Sequence, residues 1–167
     1  MATGIDKYLN DILNKIYANQ DLCKLLYYDK KNPLAEADII DTTILRTDKN
    51  NQKIFVSPFT IDNSDVVKST LTIQVNNFSL GKTNIYFKNM DIDFIVVCNV
   101  NIWELDDGSG EVKIRVNAIW EELNKIFNRQ KTVGLGINNF NYGKITQFNQ
   151  YFWGYVYSLR AIDFTLN

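Results

Sequence analysis

No histidine occurs anywhere in the 167 residues, which removes the commonest general base, a frequent metal ligand and every catalytic triad built on an imidazole. Many hydrolase chemistries go with it, although Lys, Glu, Asp or Tyr still offer proton chemistry. Cysteine is nearly as scarce: Cys23 and Cys98 stand far apart without CxxC spacing, so a reduced intracellular protein is favoured over a disulfide-bonded one. Neither sign of charge dominates, with 18 Lys and Arg against 19 Asp and Glu. Such a chain has no global positive field to draw it onto a phosphate backbone, which disfavours bulk DNA or RNA binding. Long apolar runs are missing too. The longest, residues 94–98, is far too short to span a bilayer, and the opening Met1-Ala2-Thr3-Gly4-Ile5-Asp6 lacks a basic region followed by an apolar run, so no export or membrane insertion is expected. The sequon Asn77-Phe78-Ser79 has no secretory signal to give it meaning. No Pro/Gly/Ser-rich stretch, internal repeat or low-complexity tract divides the chain, and one domain is the expectation.

What is present suits a globular core. Apolar residues make up 46% and charged residues 22%, near the globular average. Area scaling gives a folded surface of roughly 8,500 Å² against about 28,000 Å² unfolded, so such a chain buries about 70% of its surface without needing a metal or disulfide. Ile5, Leu9, Ile12, Leu13 and Ile16 fall at the three-and-four spacing of one helical face. Thr3 is placed to cap that helix and Asp6 sits in its first turn. Asn19-Gln20-Asp21 interrupts the stripe, and Leu22, Leu25 and Leu26 resume it before Pro33, predicting a helix, a bend and a further turn or two.

Between residues 38 and 101 β-branched and aromatic residues alternate with polar ones, which predicts strands near 42–46, 53–57, 70–75, 84–88 and 92–103. Asp48-Lys49-Asn50-Asn51 reads as a hairpin loop. Residues 94–98 are apolar on both faces, as a central strand requires. Asp106-Asp107-Gly108-Ser109-Gly110 marks a turn, and Val112, Val116, Ile119, Trp120, Leu123, Ile126 and Phe127 then fit a second amphipathic helix. Residues 130–140 read as irregular or short-strand, with Gly134 and Gly136 loosening the backbone. A long strand over 152–166 ends the chain, with Trp153, Tyr155, Tyr157 and Leu159 on one face, Val156, Arg160, Ile162 and Phe164 nearer the other, and a bend near Ser158 or Arg160. The whole predicts an α+β fold, a mostly antiparallel sheet flanked by two helices.

Motifs for small-molecule chemistry fail on inspection. Gly81-Lys82-Thr83 resembles the end of a phosphate loop, but the first glycine of that motif should stand where Asn76 is. Gly134-Leu135-Gly136 opens a dinucleotide fingerprint whose third glycine is replaced by Asn139. No cofactor is expected. Asp91, Asp93, Glu104, Asp106 and Asp107 are dense enough to invite a Ca²⁺ or Mg²⁺ site, but solvated strand and turn carboxylates are the better reading. The aromatics Tyr27, Tyr28, Phe140, Tyr142, Tyr151, Phe152, Trp153, Tyr155 and Tyr157 gather at two places, and Lys144 and Arg160 are the cations near the second. Stacking on nucleic-acid bases normally accompanies a basic groove, so core packing and a subunit interface are the better readings.

The order of helix, strand block, second long helix and final strand resembles the small neck and tail-completion proteins of tailed bacteriophages, especially the tail-terminator family. The resemblance is carried by residues 12–19 with Leu25-Leu26-Tyr27-Tyr28, by Met90-Asp91-Ile92-Asp93-Phe94-Ile95-Val96, and by the helix of residues 115–123 after an acidic turn. It implies a non-enzymatic virion component, assembled in the host cytoplasm as a homo-oligomeric ring, a hexamer or dodecamer. Such a ring joins the tail tube to the head connector, and DNA passes through it without being gripped. The near-neutral charge agrees with that passage. Under this reading Trp153, Tyr155, Tyr157, Arg160, Tyr142 and Phe140 are the candidate interface residues. A monomeric module for a ligand or single protein partner, and a carboxylate and metal enzyme centred on Asp91, Asp93 or Glu104, are the alternatives.

Overall fold

The apolar stripe near the amino terminus folds as its spacing predicts. In the computed structural model, which describes residues 4–57, 66–80, 87–128, 131–132 and 135–162, helix α1 spans Gly4–Tyr17 and buries Ile12, Leu13 and Ile16. Thr3, its expected cap, lies outside the described residues. The interruption at Asn19 is a helix start: the Asn19 side chain accepts the Leu22 N–H at 2.8 Å and caps α2, Gln20–Tyr27. Leu22, Leu25 and Leu26 on α2 are buried in the same core.

The core is closed by one mixed sheet ordered β1 (Ile54–Phe55), β2 (Ser69–Leu80), β3 (Phe87–Asn99), β8 (Phe152–Ile162), β7 (Leu135–Gln147) and β6 (Lys131–Thr132). Only the β1–β2 pairing is parallel; the others are antiparallel. The architecture is α+β, as the sequence predicts. Register separates the faces, since cross-strand partners share one. Leu71, Ile73, Ile92, Phe94, Val96, Tyr157 and Leu159 face α1, α2 and α4 (Arg115–Phe127) in the main core. Ile95, Val97 and Phe152 form a small apolar patch on the opposite face, with Phe148 and Val156 against it. Residues 94–98 are therefore buried on both sides, as their unbroken apolar run predicts.

Several boundaries differ from expectation. Residues 42–46 form no strand: the Asp41 carboxylate accepts from the Thr43 N–H at 3.0 Å and from the Thr43 hydroxyl at 2.6 Å, opening a turn that leads into the short helix α3, Ile44–Thr47. Local side-chain bonding outcompetes the β-branched propensity there, and Asp48 to Asn51 joins α3 to β1 instead of closing a hairpin. The strand expected over 53–57 shrinks to two residues. That expected over 84–88 merges from Phe87 onward into β3, residues 84–86 lying outside the described set. β3 ends at Asn99 in a 3-10 turn, where the Asn99 side chain accepts the Asn101 N–H at 2.9 Å. The acidic turn joins a two-stranded hairpin, β4 (Glu104–Leu105) and β5 (Lys113–Ile114), with Gly108 and Gly110 at φ 78° and 76°. Positive φ is why glycine stands at both. Helix α4 starts at Arg115, leaving Val112 exposed before it. Residues 135–147, read in part as irregular, form the thirteen-residue strand β7. The irregularity expected near Ser158 lies on the partner strand, a bulge between Phe140 and Tyr142, while β8 keeps unbroken register with β3. Phe164, Gly134 and the Gly81-Lys82-Thr83 triplet lie outside the described residues.

Candidate assembly surface

Two polar centres hold the helices to the sheet on the β1–β2 side. Arg115 is fully buried and spends its guanidinium on backbone carbonyls: Nε donates to Ile102 at 3.0 Å, Nη1 to Leu25 at 2.7 Å and Tyr28 at 3.1 Å, and Nη2 to Lys30. Ser69 adds a bond from its hydroxyl to the Leu25 carbonyl at 2.9 Å. The carbonyl end of α2, which carries partial negative charge, thus meets a cation and a hydroxyl. Lys53, also fully buried, reaches Asp29 at 2.5 Å. Burial pushes the Arg115 and Lys53 pKa values down, and Asp29 opposes that shift at both. Across the helices, Glu122 of α4 accepts from the Asn19 amide at 3.0 Å and from Lys125 at 2.5 Å. Arg115 and Glu122 thereby tie α4 to α2, a tie that periodicity does not reveal.

The β7–β8 side is built from aromatic rings. Trp120 of α4 stacks on Tyr157 with centroids 4.5 Å apart, and Tyr157 stacks on Tyr155 at 5.5 Å. Phe140 meets Trp120 edge-on at 4.5 Å and Phe94 at 6.0 Å. Such arrangements add to the burial itself. Tyr157 is buried and Phe140 partly so, whereas Tyr155 and Trp153, on the same face of β8, keep part of their surface in solvent. Beside Tyr155 on β7 stands Ile145, its register partner, which is 51% exposed. Ile145, Tyr155 and Trp153 thus form an apolar shelf on the helix side of the sheet. Gly143, opposite Tyr157, leaves room for that ring: a Cβ there would lie 2.9 Å from it.

The other face of β8 is apolar at Phe152 and Val156 and polar at Ser158 and Arg160. Arg160 reaches both oxygens of Asp91, at 2.9 and 3.2 Å, and Ser158 donates to Asp93, which also accepts from Asn76 at 2.9 Å. Asp91 and Asp93 share this face, as strand alternation predicts. Tyr142 pairs with Ser158 across the strands. Of the six candidate interface residues, Trp153 and Tyr155 lie on the shelf, Tyr157 and Phe140 pack behind it, Arg160 lies on the opposite side of the sheet, and Tyr142 is placed only by its register with Ser158. Sequence reading missed Ile145 and the two strand glycines, and had Trp120 only as part of a helix's apolar face. The glycines carried a signal, because an isolated Gly in a strand pattern marks close approach. At Gly154 a Cβ would fall 1.8 Å from the Val96 carbonyl oxygen.

The carboxylates on the β4–β5 turn are engaged locally: Asp106 accepts from the Gly108 N–H at 3.1 Å, and Asp107 from the Ser109 N–H at 3.0 Å and from Lys113. The Lys113 ammonium and Ser109 hold the Asp107 carboxyl well below the usual range. Among the described residues no three His, Cys, Asp or Glu side chains gather as a metal site needs. A cleft of about 440 Å³ opens between α2, α4 and the β4–β5 hairpin, with Leu34 and Val112 exposed at its lip and charges of both signs in its wall. Cys23 and Cys98 are free and buried, and burial pushes both thiols up to about 12. Among the described residues no helix is long and apolar enough to cross a membrane.

Comparison with curated proteins finds no match. The YomW family model matches residues 19–161, from the cap of α2 to the far end of β8, and so takes in both polar centres, the whole aromatic shelf and the sheet between them. The chain belongs to the phage-derived YomW family.

Proposed function

We propose that this phage protein is a structural component of the virion neck, a tail terminator or head-to-tail joining protein that works as a homo-oligomeric ring of six or twelve copies between tail tube and head connector. It carries out no chemistry of its own. DNA passes through the ring without specific contact, as the balance of 18 cations and 19 anions suits. The observation that carries this reading is the apolar shelf formed by exposed Ile145 on β7 with half-buried Tyr155 and Trp153 beside it on β8. Half-exposed Tyr and Trp beside an exposed Ile are what a subunit contact covers. The test is capture: tail tubes mixed with the protein and imaged by negative stain should carry a ring at one end. Tubes left bare, with a protein that also ignores the connector, would overturn the reading. The cleft beside α4 favours a second reading, a monomeric module for a small ligand or a single protein partner. A chain that stays monomeric with tubes present, and whose melting shifts with a ligand, would select it.

A further inference from the structure

Two long strand edges have no partner among the described strands. β1 pairs with β2 only at Leu71 and Thr72, so residues 73–80 present an outer edge, and β6 pairs with β7 only at Leu135 and Ile137, so residues 138–147 present another. Such edges are templates for further pairing. Their placement is matched. Followed through β3 and β8, Ile73 stands level with Gly143 and Phe78 with Asn138, so both edges are open over the same stretch, about 15–20 Å of strand. Strand direction alternates across β2, β3, β8 and β7, which makes β7 antiparallel to β2.

From this we infer that copies of the chain join edge to edge, the outer edge of β7 pairing antiparallel with the outer edge of β2 in the next copy, so that the sheet continues from subunit to subunit. A neighbour in the same orientation presents its β2 to β7 in the alternation the sheet already has. Pairing two β7 edges back to back would leave each β2 edge open, whereas β7 on β2 uses both, and a closed ring leaves neither. Both edges also carry a bulge, at Val75/Asn77 on β2 and Phe140/Tyr142 on β7, and these lie within one residue pair of the same level. A bulge blunts an edge against indiscriminate strands and bends it. The partner that fits is one with a matching bend, which the chain's own other edge supplies. The pairing also brings the next copy's helix layer beside Ile145 and Tyr155, on the helix side of the same sheet.

The inference rests on the ring reading, and one experiment separates the two. Gln74 on β2 and Lys144 on β7 occupy the same face of the sheet, away from the helices, and Gln74 is level with Tyr142, one same-face step from Lys144. Diagonal neighbours at that spacing are about 7–8 Å apart. Gln74→Cys and Lys144→Cys are prepared singly, treated with a short bismaleimide alone and as an equal mixture, and weighed by light scattering in the same samples. The native thiols are buried and stay silent. Cross-linked pairs in the mixture and none in either variant alone support the inference. Lys144→Cys cross-linking to itself means back-to-back β7 contact and overturns it. No cross-link at a ring mass overturns edge pairing and leaves the ring to another interface. No cross-link at monomer mass, with tail tubes present, removes both.

Discussion

The β1–β2 side of the molecule and the β7–β8 side treat their surfaces differently. On the first, buried Arg115 and Lys53 satisfy the end of α2 and the Asp29 carboxylate. On the second, Ile145 stands in solvent next to half-covered Tyr155, on a strand with a long free edge. Both sides leave a stretch of strand edge without a partner among the described strands, but the first ties its helices down with buried charge, whereas the second also keeps apolar surface in solvent. Stability resides in the buried charges of the first and, under the proposed function, the apolar part of the assembly contact in the shelf of the second, so substitutions should separate the two properties.

The largest effect is expected at Arg115. Arg115→Met fills much of the same space but strands four carbonyl contacts, and buried unsatisfied groups cost about 1–3 kcal/mol each before relaxation. We expect a loss of about 3–5 kcal/mol in urea unfolding; a loss below about 1 kcal/mol would show that the centre is not what secures α2. Gly154→Ala comes next, at about 2–4 kcal/mol, because its methyl meets the Val96 backbone, which cannot swing aside as a side chain does. A thermal melt compares the two variants directly.

Sequence periodicity found α1, α2, α4 and the central run of β3 because each is decided by which face is buried. It also placed Tyr155 and Tyr157 on one face of β8, and Arg160 on the other, because alternation is local. It failed at residues 42–46, where Asp41 and Thr43 bond each other, and at residues 135–147, where Gly136, Gly143 and scattered Asn weaken a strand pattern that pairing with β8 restores. The Arg115 centre was illegible for a different reason. Its partners are main-chain carbonyls, three of the four 85 to 90 residues away, and every residue type has one. Ile145 fell between the segments the sequence pattern assigned, and its exposure follows only from the sheet order, which places β7 beside two residues of β6.

Smaller effects should follow pH. With no histidine, stability should be flat between pH 6 and 8 in urea midpoints. Above about pH 9 it should fall: Cys23 and Cys98 are pushed up to about 12 by burial, and burial also raises Tyr157, so the unfolded chain loses these protons first. The stability from these groups is complete below their unfolded values and is lost as pH rises beyond them. Lys53 acts in the opposite sense, because burial lowers its folded value and unfolding then takes up a proton. Tyr17, also raised by burial, adds to the first sense, so a net fall is expected and a midpoint that rises from pH 8 to 10 would contradict this.

Smallest of all for stability is Ile145→Lys. At an exposed position it should change unfolding by about 0.5 kcal/mol or less, yet a charge there should prevent a neighbouring copy from covering the shelf. If it destabilises the chain as Gly154→Ala does, the contrast between the two sides fails.

The measurement that tests the central claim most directly is the molar mass of the protein by light scattering across concentration, alone and then with tail tubes added. We predict a rise from 19.4 kDa to a fixed multiple, six or twelve, that Ile145→Lys abolishes. A mass that stays at one chain throughout, tubes included, would contradict an open side built for assembly.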